Sequence, residues 1–260
     1  MKTKIFYFSG TGNSLFIAKE INNALNNPGE LVPVAKYIYE STLQTDAEMI
    51  GFVFPIYMGS VPWVVKDFIK KIKPQSSPYI FAVATYNSHT MNCMPVLSEL
   101  LKSCSMSLSL GEVVIMPGNA KKNSLEETEK KLNASSQRII DIAKKINCQI
   151  VEPQFISTRV ANKAISYRKK PNGSFTKYKL LSSCNSCGIC KRICPMVNIE
   201  FNNKKPTWGE NCAACLACFH WCPQKAIKWG MPIIGNRPQY HHPNVTVKDI
   251  SEQQPLTETK

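Results

Sequence analysis

Eight of the 11 cysteines fall between Cys184 and Cys222 and repeat one spacing twice: Cys184-x2-Cys187-x2-Cys190-x3-Cys194-Pro195, then Cys212-x2-Cys215-x2-Cys218-x3-Cys222-Pro223. The other three, Cys93, Cys104 and Cys148, are scattered. A disulfide scaffold spreads even pairs over a small secreted domain, whereas dense C-x-x-C repetition points to a thiolate-bound metal centre. Zinc also takes C-x2-C pairs. A tetrahedral zinc site, however, is complete with two pairs and has no use for a third cysteine at the same interval or for the trailing Cys-Pro.

The spacing is that of bacterial two-cluster ferredoxins, in which three thiolates wrap one face of a cubane and the fourth reaches the other cluster. On that rule Cys184, Cys187, Cys190 and Cys222 hold one [4Fe-4S] cluster, and Cys212, Cys215, Cys218 and Cys194 hold the second. Small residues at Gly188, Ala213, Ala214 and Ala217 let backbone amides approach the sulfur atoms, where hydrogen bonds tune the potential.

Upstream the chain changes character. Apolar, β-rich runs alternate with helical patterns: strands over 4–9, 31–37, 49–57, 79–86 and 111–117, and helices over 14–26, 62–73, 94–104 and 124–147. Continuous apolar strands such as Ile50-Gly51-Phe52-Val53-Phe54 and Ile80-Phe81-Ala82-Val83-Ala84 are what a sheet covered on both faces requires. The fold class is therefore α/β, a doubly wound five-stranded parallel sheet, followed by a small α+β two-cluster domain. No apolar run approaches roughly 18 residues, so no membrane span is expected. The N-terminal apolar stretch ends at Ser9, far short of a signal-peptide core, so the sequence predicts a cytoplasmic protein.

The first strand runs directly into Ser9-Gly10-Thr11-Gly12-Asn13-Ser14 and then a helix, which directs successive backbone amides and hydroxyls at one spot by a positive helix end. That chemistry binds phosphate. A Walker loop needs a lysine in the loop, and none occurs between Ser9 and Lys19. A dinucleotide loop needs a third glycine where Leu15 stands and an acid where Val34-Ala35-Lys36 stands. Hydroxyl and amide side chains without a cation suit a single terminal phosphate monoester.

Phe8-Ser9-Gly10-Thr11-Gly12-Asn13-Ser14 resembles the FMN phosphate loop of flavodoxins. Two further loops, Pro55-Ile56-Tyr57-Met58-Gly59-Ser60 and Thr85-Tyr86-Asn87-Ser88-His89, are similar to flavodoxin flavin loops and follow the strands that flank the switch point in that fold. The resemblance implies that Gly59 lets a peptide turn toward the flavin, and that Tyr57, Met58, Tyr86 and Asn87 lie against the ring. Asn87-Ser88 departs from the Gly-rich form of the last loop. Met116-Pro117-Gly118-Asn119 closes the same side of the sheet. The whole chain resembles the flavodoxin-ferredoxin fusion proteins of anaerobes, over roughly residues 3–230. The implied layout is a flavodoxin-like FMN domain over 1–150, a basic linker over 151–182, a two-[4Fe-4S] ferredoxin domain over 183–230 and a tail over 231–260.

The implied cofactors are FMN and two [4Fe-4S] clusters, and the implied function is electron transfer between redox proteins. The alternative is an FMN-dependent reductase of a small molecule, fed through its clusters. The four histidines, His89, His220, His241 and His242, form no catalytic spacing, so no catalytic residue is assigned. His220 and Trp221 shield the second cluster loop, and the His241-His242 pair reads as packing. The formal charge is +14, and the stretch from Arg159 to Lys179 carries seven basic residues and no acid. Acidic partners of ferredoxin or flavodoxin type are therefore expected, steered chiefly by Arg168, Lys169, Lys170, Lys177 and Lys179. Nucleic acid is the minor reading of that stretch. The oligomeric state is not legible.

Overall fold

A computed structural model describes residues 1–119, 123–152, 177–230 and 238–255. Its N-terminal half contains strands β1 (Thr3–Tyr7), β2 (Glu30–Pro33), β3 (Leu43–Thr45), β4 (Met49–Pro55), β5 (Ile72–Pro74), β6 (Tyr79–Tyr86) and β7 (Leu110–Ile115). Five of these form one parallel sheet in the order β2-β1-β4-β6-β7, while β3 and β5 pair separately. Ile5 pairs with Gly51 and Phe6 with Phe52 across the centre. Six consecutive residues of β4 are buried, which a strand covered on both faces demands. The crossover helices are α1 (Asn13–Ala24), α2 (Trp63–Lys71) and α3 (Cys93–Lys102), and α4 (Leu125–Asn147) follows the last strand. This is the expected doubly wound sheet.

The expected strands 4–9, 31–37, 49–57 and 111–117 each run past the observed ends, 31–37 by the most. The run 31–37 leaves the sheet at Pro33, which has no amide to continue a ladder, and Val34–Tyr37 turns as a 3-10 helix. At the far edge, β7 carries the buried Glu112. Its carboxylate is matched by Arg138 and by Lys145 Nζ at 2.9 Å, both from α4, so the long helix is tied to the sheet by a paired charge as well as by its apolar stripe. Ser124 and Glu127 form a capping box at the start of α4.

The C-terminal half is made of two antiparallel ribbons, β8 (Tyr178–Leu180) with β11 (Ile227–Trp229) and β9 (Ile199–Asn202) with β10 (Lys205–Trp208), and two one-turn helices, Ile189–Arg192 and Ala217–His220. Ile199, Leu216, Phe219, Ile227 and Trp229 make a satellite core. Ile193, Met196, Ala213, Cys215, Ala217 and Trp221 instead join the main core, together with Val245 and Ile250 of the tail. The tail packs back through a short helix, Val247–Ser251, held by a Lys19–Asp249 ion pair at 2.5 Å. Among the described residues no helix is long and apolar enough to cross a membrane.

Candidate functional site

The two cysteine motifs are duplicated in backbone as well as in sequence, each feature recurring 28 residues later. Ser186, Gly188 and Val197 in the first motif, and Ala214, Leu216 and Lys225 in the second, all have positive φ. Lys191 N donates to Gly188 O at 3.1 Å, and Phe219 N to Leu216 O at 3.1 Å. Asn198 N reaches Cys194 Sγ and Ala226 N reaches Cys222 Sγ, both at 3.4 Å. Such amides stabilise a thiolate and raise the potential of whatever it ligates. Ala214 N adds a contact to Cys212 Sγ at 3.3 Å, in line with the small residues around that loop.

Two sets of four cysteines emerge. Burial pushes the Cys190 thiol up to about 11, and its charged cysteine neighbours are Cys187, Cys222 and Cys184. Burial likewise raises Cys194 to about 11, with Cys212 beside it, and raises Cys218, whose neighbours are Cys215, Cys194 and Cys212. The neighbours cross between the motifs, Cys222 beside Cys190 and Cys194 beside Cys212 and Cys218, which is the pattern that the crossed ligand rule expects. Among the described residues no three His, Cys, Asp or Glu side chains converge as a single metal ion needs. A thiol-rich pair of sets with amides on the sulfur atoms fits iron–sulfur clusters in its donor chemistry.

The tail supplies a matched pair of contacts that local sequence reading missed. Gln254 Nε2 donates to Lys191 O at 2.7 Å and Cys194 O at 2.9 Å. Gln239 Nε2 donates to Phe219 O at 2.7 Å and Cys222 O at 2.9 Å. These are equivalent positions in the two motifs, so one tail caps the last turn of each and fixes the carbonyl of each crossing cysteine. Nothing in the local pattern around Gln239 or Gln254 announces this.

The glycine loop lies at the carboxyl end of β1, buried throughout from Ser9 to Ser14. Gly12, with φ of 93°, takes the left-handed conformation that starts α1. Several of the groups expected to hold phosphate are already engaged. Ser9 Oγ accepts from Gly12 N at 3.1 Å, Ser14 Oγ bonds Thr85 Oγ1 at 2.9 Å, and Asn13 Nδ2 donates to Pro117 O at 2.8 Å. Tail residues take others: Tyr240 Oη donates to Asn13 Oδ1 at 2.7 Å, His242 N to Thr11 O at 2.8 Å, and Gln253 bonds both Ser9 N and Ser9 O at 2.9 Å. Among the described residues, no backbone carbonyl takes the Thr11, Asn13 or Ser14 amide. These three amides at the start of α1 suit one phosphoryl group.

The other expected flavin contacts are brought to the same end of the sheet. Met58 is 73% exposed, and Gly59 touches the Met91 side chain. Tyr57 packs against the core cluster that includes Cys215, and burial, with Cys215 and Cys212 adding, pushes its pKa well up. Asn87 accepts from Lys131 Nζ at 2.5 Å and is in contact with Gly118. Tyr86 and Asn87 line, with the glycine loop, a cavity of about 60 Å³. Whole small-molecule sites run to roughly 300–1,000 Å³. The cavity is of the size of a phosphoryl group and smaller than a complete FMN.

His220 and Trp221 do more than shield. Trp221 Nε1 donates to Gly10 O at 3.0 Å, and His220 Nε2 lies 2.8 Å from Asn119 O. His241 stacks on Trp221 with ring centroids 4.2 Å apart, and His242 stacks on Phe16 at 3.9 Å, so the histidine pair is packing. Of the basic stretch, Lys177 and Lys179 are exposed, while Arg168, Lys169 and Lys170 lie outside the described residues.

A family model described as a flavodoxin domain matches residues 4–92, and one described as a 4Fe-4S dicluster domain matches residues 167–227. Among solved structures, a flavodoxin from the domain Archaea is 16% identical over 56% of this chain and 99% of that one, with a TM-score of 0.36. Smu.1420 from Streptococcus mutans is 18% identical over 54% of this chain and 100% of its own, with a TM-score of 0.38. An FMN-dependent NADH-azoreductase from Bacillus anthracis, solved with FMN, is 11% identical over 56% of this chain and 100% of that one, with a TM-score of 0.39. A search of curated proteins returned no match. The matched domains support FMN and iron–sulfur clusters as cofactor classes and a redox role. The chain is a flavodoxin-ferredoxin fusion, with a flavodoxin domain followed by a 4Fe-4S dicluster domain.

Proposed function

We propose that the chain is an electron-transfer protein that carries single electrons between redox partners through two [4Fe-4S] clusters. The observation that supports this is the division of eight cysteines into two crossed sets with different surroundings. The first set has one exposed thiol, Cys187, and one buried, Cys190, while the second has two buried, Cys215 and Cys218, and none exposed. When bound, each cluster supplies one-electron chemistry at a potential set by charge, hydrogen bonding and exposure.

The chain's own residues do the rest. Cys187 and its neighbours open the first set to a partner. Amides of Asn198, Ala226 and Ala214 hold the sulfur atoms, and Tyr178 lies 3.6 Å from Cys212 Sγ while stacking on Trp208. That apolar wall keeps water off the second set. With +14 on the chain, acidic carriers are the partner class that electrostatics favours. FMN, which the flavodoxin domain supports as a cofactor class, carries no step in this reading, because the cavity beside the glycine loop is smaller than a complete FMN.

Anaerobic purification with iron and sulfide analysis tests the reading. About eight of each per chain, reducible and reoxidised by an acidic ferredoxin, is the expected result. Zinc without labile sulfide, or clusters that exchange no electrons with any carrier, overturns it.

A further inference from the structure

We infer that the second cluster loop sits where a flavodoxin would seat its flavin, so that the flavodoxin domain of this chain receives its own ferredoxin half in place of FMN. The inference rests on the proposed function only in taking the segment Cys212–Cys218 to enclose a cluster.

In a doubly wound sheet, ligands bind beyond the carboxyl ends of the strands, where the strand order reverses. Here that point lies between β1 and β4, and three loops surround it: the glycine loop, the loop through Tyr57 and the loop through Asn119. The first and third touch the C-terminal half. A Cβ built on Gly10 would lie 2.3 Å from the Cys215 carbonyl oxygen. Gly10 does not have a positive φ, so its missing side chain answers to that close approach and not to backbone conformation. Trp221 Nε1 donates to the same residue's carbonyl at 3.0 Å.

Tyr57, from the second loop, packs against the core cluster to which Cys215 belongs. Asn119, from the third, places Nδ2 3.5 Å from Cys215 O and its carbonyl 2.8 Å from His220 Nε2. Cys215 is thus the point on which the first and third loops converge, with the second packed against the same core. The tail engages further polar groups of the loop, with His242 on Thr11, Tyr240 on Asn13 and Gln253 on Ser9. To enter, an isoalloxazine would have to displace a cluster ligand and break this set of bonds together. A fold carries over where a function need not, and a loop built to approach a flavin phosphate closely serves equally for close approach of a peptide.

The test uses the full chain, reconstituted anaerobically with iron and sulfide and then equilibrated with excess FMN. The expected protein keeps its iron and retains no stoichiometric flavin after gel filtration. Gly10→Ala, which pushes on Cys215, is expected to shift the electron paramagnetic resonance signal of the second cluster and leave that of the first unchanged. Tyr240→Phe, which removes one tail bond and no packing volume, keeps both signals and still binds no flavin. One FMN per chain alongside full iron overturns the inference and leaves the electron-transfer function standing. A second-cluster signal indifferent to Gly10→Ala also overturns it. A chain that takes up no iron overturns the function and the inference together, and iron analysis distinguishes that case from the others.

Discussion

The two cysteine motifs have one backbone and two environments. The left-handed residues Ser186, Gly188 and Val197, the helix-turn bonds and the sulfur-directed amide of the first motif have counterparts 28 residues on, down to 3.4 Å contacts from Asn198 and Ala226. The side chains at matching positions diverge. Gly188 answers to Leu216, the exposed Arg192 to the buried His220, and Ile193 to Trp221. The first motif meets the main core through the apolar Ile193 and Met196, whereas the second also sends hydrogen bonds into the flavodoxin domain from His220 and Trp221, and the thiol left exposed is Cys187 of the first. What separates the motifs is therefore access and not ligation: an exposed set suits exchange with a partner, and a buried set suits storage or relay at a potential that water does not touch.

The largest test of this comparison is to break the crossed ligation. Cys194 belongs by sequence to the open motif and by neighbourhood to the buried set. Cys194→Ala is expected to reduce iron from about eight to about four per chain and to remove the buried cluster's signal, whereas Cys187→Ala removes the exposed one. Loss confined to the first cluster in Cys194→Ala shows that each motif holds its own cluster, and the division by environment then falls.

The glutamine caps sharpen the same point at a smaller scale. Gln254 holds Cys194 O and Gln239 holds Cys222 O, each through an amide that also bonds a helix-end carbonyl. Two neutral hydrogen bonds contribute roughly 0.5–1.5 kcal/mol each, so removing a cap should accelerate chelator-driven loss of one cluster by about ten-fold. The expected pattern is crossed: Gln254→Leu weakens the buried cluster, and Gln239→Leu weakens the exposed one. Gln→Glu variants, which keep the size but cannot donate, should follow the Leu variants. Equal effects on both clusters would assign the tail a general structural role.

These caps mark where the sequence was legible and where it was not. The cysteine spacing named all eight thiols, and the strands at Met49–Pro55 and Tyr79–Tyr86 were visible because a run of apolar residues is a local signal. The glycine loop was also visible. Its surroundings were not, because the residues that engage it are distant in sequence: Trp221 for Gly10, Tyr240 for Asn13, Gln253 for Ser9. A lone glutamine or a His-His pair in a polar tail has no periodicity to read. The break at Pro33 was missed for a local reason, since Val34-Ala35 continues the apolar run after the ladder has ended.

His242 offers a smaller effect on the tail that covers the buried side. It is 2% exposed, and burial, with His241 adding, lowers its pKa to about 4. A histidine whose folded pKa lies below its unfolded value of about 6.5 leaves the unfolded state holding more protons between those two values. Stability is then fully present above pH about 6.5 and declines as pH falls toward 4. The tail should become more protease-sensitive over that window, and His242→Asn should flatten the pH dependence. A wild-type tail equally resistant at pH 5 and pH 7 would show that His242 does not govern its docking.

The smallest expected effect concerns where a partner enters. Arg192 is exposed in the first motif, immediately before the turn that leads to Cys194, and Lys225 is exposed three residues after Cys222, the thiol assigned to the first set. Lys169 and Lys170 lie in the basic stretch, and their contribution is argued from charge alone. If the exposed motif is the port, reversing Arg192 and Lys225 to Glu should slow reduction by an acidic ferredoxin a few-fold at low salt, and the deficit should fade as the Debye length shrinks from about 10 Å at 0.1 M to about 3 Å at 1 M. Lys169→Glu/Lys170→Glu should lower the rate through long-range steering, with the same loss at high salt but no change in the limiting electron-transfer rate once the complex has formed. Stopped-flow traces across ionic strength separate the two pairs. A slower limiting rate in the Arg192/Lys225 variant places the contact at the first motif, while unchanged rates there and a steep salt slope lost only in the Lys169/Lys170 variant move the port to the basic stretch and remove exposure of Cys187 as the feature that distinguishes the two motifs in function.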